Sequence, residues 1–479
     1  MSLKKQTFSG LIWTFADTFL VRGASFIATL LLARLLGPSE FGLIGMISVF
    51  IAIGISLVDS GLSSSLIRTK DADDKDYSTV FYINLAVSLL VYVILFFTAP
   101  YIARFYGQEV LIDIIRVYCL GFLITAFTAV QIALLNKEMK FQKLMHYNIP
   151  GTITGMAVGL ILGYNGYGVW SIVWMYLSNQ IVQSIIVWSF SSWKPSGTFS
   201  KEKLIYHYSF GYKLLLSGLL DTIFKNIYNV LIGKFFSLKS LGYYERANAL
   251  NEYPVMTITG IISKVSYPLL ARIQEEKERL ATVYRQLLLF TFFIITPLML
   301  GSSAIAEPLF LLVLGEQWLP AVPFFKIICL AAIFFPIHSL NINVLKIYGR
   351  TDLFLKLEVI KKFTTSISIL IAFQFGILAL VWSMVFNSVL SLLINTYYSR
   401  EMINYKMGRQ FLDMLPVLLI SGIVYILMTW LTNLLGNHSL LVQILAPSLA
   451  GALLYGIINY IIKAEPILFT LTLLKERNL

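Results

Sequence analysis

The chain is poor in charge. Only 13% of its 479 residues are Asp, Glu, Lys or Arg, about half the share of an ordinary soluble domain. With so little polar surface a chain of this length would not stay dispersed in water, which excludes a soluble enzyme and a disordered protein. Cysteine is scarce too. Cys119 and Cys329 are the two present, both in apolar runs, so neither a disulfide scaffold nor a zinc framework is expected. The four histidines, His146, His207, His338 and His438, show no metal spacing, and no His-Glu-x-x-His occurs. There is no Walker phosphate loop, so the chain is not expected to hydrolyse ATP. No cofactor is expected. No loop is long enough to form a soluble domain. The longest lies near residues 191–208 and contains Pro195 and Gly197.

What is abundant is apolar sequence, at 57%. The fold class expected is therefore all-α integral membrane. A spanning helix needs about 20 mostly apolar residues. That ruler finds about fourteen candidates: 11–36, 41–64, 79–101, 113–136, 149–165, 169–190, 209–234, 247–270, 284–306, 322–345, 357–375, 378–399, 411–435 and 440–463. The fifth is short and Gly-rich, and the seventh and eighth are unusually polar. The apolar runs are continuous, not alternating, which argues against a β-barrel. The first run follows Lys4 and Lys5 but is too long for a cleaved signal and contains Asp17 and Arg22. It is expected to be the first span itself.

The net charge of +12 is unevenly placed. One set of loops carries Arg68, Lys70 and Lys75; Lys137, Lys140 and Lys143; Lys194, Lys201 and Lys203; Arg272, Lys277 and Arg279; Lys346, Arg350 and Lys356; and Arg400, Lys406 and Arg409. Both termini fall on that side. The opposite loops hold few, among them Arg34, Arg104, Lys234, Lys239 and Arg246. The positive-inside rule makes the rich side, and both termini, cytoplasmic. Because the basic residues are dispersed over short segments, nucleic acid is not expected as a partner.

The chain echoes itself at an offset of about 200. Residues 31–43 (LLARLLGPSEFGL) lie over 231–243 (LIGKFFSLKSLGY), so that Arg34 matches Lys234 and Gly42 matches Gly242. In both stretches a helix ends in a basic residue and a tight turn, and a Gly opens the next helix. Two sets of six spans follow, at 1–198 and 199–400, with two further spans in 401–479. Such duplication is expected of a transporter with its site between lobes.

A charge at the centre of a spanning helix costs about 2.5–3.5 kcal/mol and usually faces a bundle interior or a wet cavity. Here such charges concentrate in the first, seventh and eighth spans. Thr14, Thr18 and Arg22 are spaced i, i+4, with Asp17 off that line. Lys213, Ser217, Asp221 and Lys225 recur every fourth residue, Asn229 extends the row, and residues four apart share a helix face. The stripe from Lys213 to Lys225 climbs about 18 Å. The eighth span adds Asn248, Asn251, Thr257 and Lys264, and Asp59 lies near the end of the second. Two readings stand. In one, Asp221 and Lys225 form a structural salt bridge while Arg22, Lys213 and Lys264 snorkel to an interface. In the other, Arg22, Lys213, Lys225 and Lys264 outnumber Asp17, Asp59 and Asp221 around a hydrated cavity suited to an anionic or sugar-phosphate solute. Tyr228, Tyr243, Tyr244 and Tyr253 lie near the polar stripe, where an interfacial belt is the favoured reading. Asp71 and Asp73 form a D-x-D like that of glycosyltransferases, but in a short charged loop that reads as solvated.

Several stretches resemble a family. They are 32–44 (LARLLGPSEFGLI), 59–62 (DSGL), 66–68 (LIR), 241–247 (LGYYERA), 267–274 (YPLLARIQ) and 314–323 (LGEQWLPAVP). In this order and spacing they resemble the Wzx-type polysaccharide flippases of the multidrug/oligosaccharidyl-lipid/polysaccharide superfamily, most of all the colanic acid exporter branch. The resemblance implies two pseudo-symmetric six-helix lobes in a V with two C-terminal helices behind. It implies a bacterial inner-membrane transporter, not an enzyme. It implies movement of an undecaprenyl-diphosphate-linked glycan from the cytoplasmic to the periplasmic leaflet by alternating access, coupled to a proton or sodium ion. Membrane lipids and a glycan polymerase are the further partners implied. By topology, Arg22, Lys213, Lys225, Lys264, Asn229 and Asn251 would bind substrate, and Asp17, Asp59 and Asp221 would couple the ion. The rivals are a cation-coupled drug antiporter, a flippase for peptidoglycan or teichoic-acid precursors, and a membrane glycosyltransferase or polymerase.

Overall fold

In a bilayer every backbone N–H and C=O must be satisfied internally, and helices do this within one segment. The computed structural model describes residues 13, 16–59, 61–400 and 402–467, and every regular element among them is helical. Nine helical stretches among the described residues are long and apolar enough to cross a membrane. The other expected spans also fall on helices, at Phe141–Tyr164, Trp170–Phe190, Lys201–Lys225 with Ile227–Phe235, Leu238–Arg272 and Thr351–Phe373. These are long enough but carry more polar residues.

By packing, the chain divides into two compact units, Met1–Gly242 and Tyr243–Leu479. The lobes expected at 1–198, 199–400 and 401–479 follow the repeat instead, and we carry them forward as a proposal.

The first unit opens with a π-helical stretch, Asp17–Arg22, that runs into α1 (Gly23–Leu36). There follow α2 (Pro38–Asp59), α3 (Leu62–Arg68), α4 (Asp74–Tyr106), α5 (Leu111–Tyr118), α6 (Leu120–Lys137), α7 (Phe141–Tyr164), α8 (Trp170–Phe190), α9 (Lys201–Lys225) and α10 (Ile227–Phe235). Its core joins α3, α4 and α6 through Leu62, Leu66, Val80, Phe81, Val130 and Ala133. The closest pair is α7 on α8. Gly151, Gly155, Gly159 and Gly163 repeat every fourth residue along one face of α7. A Cβ at Gly155 would lie 2.7 Å from the Met175 carbonyl oxygen, and one at Gly159 2.8 Å from the Met175 Cβ. Small residues at this spacing let two helix backbones touch where no hydrophobic drive exists between them. The Gly-rich fifth span is thus half of a tight helix pair.

α9 and α10 pack on α2, α3 and α4. Where α10 gives way to the next helix, the stretches 31–43 and 231–243 meet. A Cβ on Gly42 would overlap the Leu238 carbonyl, and one on Gly242 would overlap the Pro38 carbonyl. Residues 38 and 238, and 42 and 242, are matched positions of the repeat.

The second unit continues α11 (Leu238–Arg272) and adds α12 (Lys277–Ala304), α13 (Ala306–Val313), a 3₁₀ turn (Glu316–Ala321), α14 (Val322–Ala332), α15 (Phe335–Ile347), α16 (Thr351–Phe373), α17 (Ile377–Ser399), α18 (Met407–Leu434) and α19 (Leu440–Ile461). The last two helices dock through a cluster of Ala304, Ile420, Val424, Met428 and Tyr455. An ionic knot adds to it: Arg285 Nε donates to Asp413 Oδ2 at 2.6 Å, and Arg285 also binds Glu465. On α19 the outer face is wholly apolar, with Leu445, Leu449, Leu453 and Ile457 exposed at four-residue spacing. A soluble protein would not leave such a stripe uncovered.

Candidate functional site

The first span brings its carboxylate into a polar chain. Asn148 Nδ2 on α7 donates to Asp17 Oδ1 at 3.1 Å, and Gln183 Nε2 on α8 donates to Asn148 Oδ1. Helical spacing alone puts Asp17 and Arg22 on different lines. The stretch Asp17–Arg22 that holds both is π-helical, so ideal α-helical spacing does not apply between them. Arg22 is exposed and Asp17 half-buried. Thr14 lies outside the described residues.

The polar stripe of the seventh span is interrupted. α9 stops at Lys225, Asn226 forms a turn, and α10 restarts at Ile227. Asp221 and Lys225 are exposed, whereas Asn229 is buried and its Nδ2 donates to Ser48 Oγ at 2.9 Å. The row expected to run straight through to Asn229 therefore ends at the break. Lys213 falls on α9, but its side chain, like that of Ser217, lies outside the described set.

On α2, Ser48 and Ser56 face α9 and α10. Ser56 Oγ lies 3.2 Å from Thr222 Oγ1, and Ser48 Oγ lies 3.5 Å from Asn226 Oδ1. These neutral groups were not singled out in the sequence, since one serine in an apolar run carries no signal. Asp59, at the end of α2, is exposed.

In the second unit, Lys264 is exposed on α11. Asn251 is buried, and its amide lies 3.4 Å from Met299 Sδ and 3.3 Å from Cys329 Sγ. That side chain is engaged within the helix packing. The eleventh span holds a further ion pair, Lys361 with Glu358, both largely buried.

Two sequence features have structural roles. Asp73 of the D-x-D caps α4: Asp76 N–H donates to Asp73 Oδ1 and Asp73 N–H to Asp76 Oδ2, each at 2.9 Å. This reciprocal pair satisfies orphan donors at the helix start. Trp318, in the stretch 314–323, is fully buried and stands edge-on to Tyr243 of the stretch 241–247.

Of the intramembrane charges singled out in the sequence, Arg22, Asp59, Asp221 and Lys225 are exposed in the first unit, and Lys264 is exposed in the second. On a lipid-facing surface each would be costly. Their exposure fits water or headgroups beside them. Among the described residues no group of three or more His, Cys, Asp or Glu could hold a metal ion.

Comparison with known proteins agrees with this architecture. The teichuronic acid biosynthesis protein TuaB of Bacillus subtilis is 27% identical, over 97% of both chains. The lipopolysaccharide biosynthesis protein WzxC of Escherichia coli is 24% identical, over 92% of this chain and 88% of that one. Among solved structures, the lipid II flippase MurJ in an inward closed conformation superposes with a TM-score of 0.73 at 16% identity, covering 94% of this chain and 99% of that one. An inward-facing multidrug transporter of the MATE family gives 0.64 at 17% identity, covering 82% and 98%. The chain thus shares the many-helix membrane fold of these two structures. The family described as polysaccharide biosynthesis protein matches residues 31–323, and this chain belongs to it.

Proposed function

We propose that the protein is a flippase that moves an undecaprenyl-diphosphate-linked oligosaccharide from the cytoplasmic to the periplasmic leaflet of the bacterial inner membrane. The single observation that carries this reading is the exposure of Arg22, Lys225 and Lys264 inside helices of a membrane transporter fold. A diphosphate brings charge that oil excludes, and fixed cations replace the water that solvated it. Lys213 belongs to the same set by its place on α9. Asn229 and Asn251 are committed to helix packing and would reach a glycan only after rearrangement. The named roles of TuaB and WzxC, in teichuronic acid and lipopolysaccharide biosynthesis, support a glycan-bearing substrate.

Finer parts of the reading follow. Both termini are cytoplasmic, as the Lys and Arg asymmetry demands. The two lobes are 1–198 and 199–400, with 401–479 appended, and they alternate in access. A proton or sodium ion couples the cycle through Asp17, Asp59 or Asp221. Asp17 is favoured among these, because Asn148, itself held by Gln183, donates to its carboxylate. A glycan polymerase receives the product. The multidrug antiporter shares the fold, but a surplus of cations suits an anionic solute, not a cationic drug.

Transport in membrane vesicles tests the reading. Arg22→Ala and Lys225→Ala should each lower flipping of the lipid-linked oligosaccharide by about tenfold or more, the loss of one charge-assisted phosphate contact. Normal flipping by both variants would remove the cationic groups from the mechanism.

A further inference from the structure

We propose that Asp76, His207 and Lys203, with Ser65, form a releasable latch on the side read as cytoplasmic, which is closed here, parts whenever the transport path opens to that side, and lets go more readily in acid. This rests on the transport reading above.

In the repeat, α9 opens the second copy, yet it packs on α2, α3 and α4 of the first. At its start the two copies meet through side chains. Lys203 Nζ lies 2.8 Å from Asp76 Oδ2, and His207 Nε2 lies 3.0 Å from Asp76 Oδ1. The other ring nitrogen of His207 lies 2.8 Å from Ser65 Oγ on α3. One tautomer serves both sides: Nε2–H donates to the carboxylate and the Ser65 hydroxyl donates to Nδ1. Asp76 and His207 are both 0% exposed. The cluster joins two basic connections, one with Arg68, Lys70 and Lys75, the other with Lys194 and Lys201, which the charge asymmetry makes cytoplasmic. Alternating access requires contacts between the copies on this side to break when the path opens there.

The groups can part without stranding a charge. Asp73 N–H donates to Asp76 Oδ2 at 2.9 Å from the same helix end, and that bond stays when α9 leaves. The Lys203 side chain is already 32% exposed. The cluster lies ahead of the apolar spans expected from residues 79 and 209, so water, not lipid, replaces each lost partner. The same charges released into oil would be far costlier. The connection before α9 supplies a pivot. Trp193 Nε1 donates to Asp74 Oδ1 at 2.7 Å, and Ser196 N–H to Ser78 Oγ at 3.0 Å. All four residues belong to the first copy, so these bonds hold while α9 swings.

The acid effect takes its sign from the surroundings of the imidazole. α4 faces it with Asp76, α3 with the neutral Ser65, and its own helix carries Lys203 one turn back. The other charges near these helix ends are Asp74 and Lys75 beside Asp76, Arg68 at the end of α3, and Asp59 at the end of α2 that leads to α3. Burial holds the proton affinity of His207 below that of an ordinary imidazole, although Asp76 pulls the other way. In the closed latch the ring is therefore neutral. Released into water, it regains its ordinary value of about 6.5. A group whose affinity is depressed in one state stabilises that state fully above its ordinary value, and progressively less as pH falls below it. The latch is thus tightest above about pH 6.5 and loosens on acidification.

Two measurements test this, in a chain whose buried Cys119 and Cys329 are replaced by alanine. In the first, a short, reducible bifunctional thiosulfonate links Ser65→Cys with His207→Cys in cells of a deletion strain, and exported polysaccharide is measured before and after. Linking should lower export at least about tenfold and reduction should restore it, as for a blocked conformational step. If the unlinked pair does not export, Asp73→Cys with Lys203→Cys serves, since the native side chains lie 3.8 Å apart. In the second, spin labels at Lys75→Cys and Glu202→Cys, both exposed and outside the latch, report their separation in purified protein in nanodiscs. A separated population should grow about fivefold between about pH 7.5 and about pH 5.5. His207→Gln, whose amide can reach the same two partners without titrating, should remove that response. Normal export with the latch linked would overturn the proposal. So would a separated population that is absent or does not grow in acid, or a pH response that persists in His207→Gln. If the unaltered chain itself failed to restore export, the transport reading would fall, whereas the label distances would still report whether the latch opens.

Discussion

The α7–α8 interface and the seam between α2 and α9–α10 lie in the same unit yet are built on opposite terms. The first is tight: Gly151 and Gly155 meet the Asn179 and Met175 carbonyls, Gly159 meets the Met175 side chain, and none of the three leaves room for a methyl group. The second is a spaced row of hydroxyls and amides, of which Ser48, Ser56 and Asn226 are also bonded within their own helices. A membrane offers no hydrophobic drive to join helices, so contact geometry decides permanence. Close glycine packing gives a wall that cannot shift without losing many contacts at once. Self-satisfied polar groups give a joint that water can enter at little cost.

That contrast can be broken most sharply at the wall. Gly155→Leu would place its Cβ 2.7 Å from the Met175 carbonyl oxygen and 2.9 Å from the Asn179 Cβ. Overpacking of this kind costs about 1–3 kcal/mol or more. The variant should give less folded protein in the membrane and a lower Tm in detergent, and a wild-type Tm would show that the wall is not tight. The seam should respond weakly. Ser56→Ala removes one bridging hydroxyl at 3.2 Å, and interhelical bonds in membranes average about 0.6 kcal/mol. Its Tm should stay close to wild type, and a drop as large as that of Gly155→Leu would mean that the seam is structural too.

Much of this was legible in the sequence, for reasons of range. Among the described residues the expected spans fall on helical stretches, nine of them long and apolar enough to cross a membrane, because hydropathy over about 20 residues is a local property. The repeat at an offset of about 200 was legible as residues 31–43 over 231–243, and Gly42 and Gly242 meet the partner backbone at matched positions. Arg22, Lys225 and Lys264, read from the spans as charges within them, are exposed. What was hidden depended on distant residues. Asn148 and Gln183 gain meaning only beside Asp17, 131 and 35 positions apart along the chain. His207 and Asp76 meet across 131 residues. Other departures came from local geometry that ideal spacing ignores. The stretch Asp17–Arg22 is π-helical and not α-helical, and the break at Asn226 cut the polar stripe short of Asn229. Asn251 counted as a polar group in a span, but its amide lies against Met299 and Cys329 inside the packing.

The account depends most on where three cations look. Arg22, Lys225 and Lys264 can each be replaced by cysteine in a chain whose Cys119 and Cys329 are alanine, and reaction with a charged, membrane-impermeant thiol reagent measured in inside-out and right-side-out vesicles. The account predicts fast reaction at all three sites from at least one side, slowed by undecaprenyl diphosphate. Sites that stay unreactive from both sides would place these side chains against lipid or in a dry seam, and would contradict it.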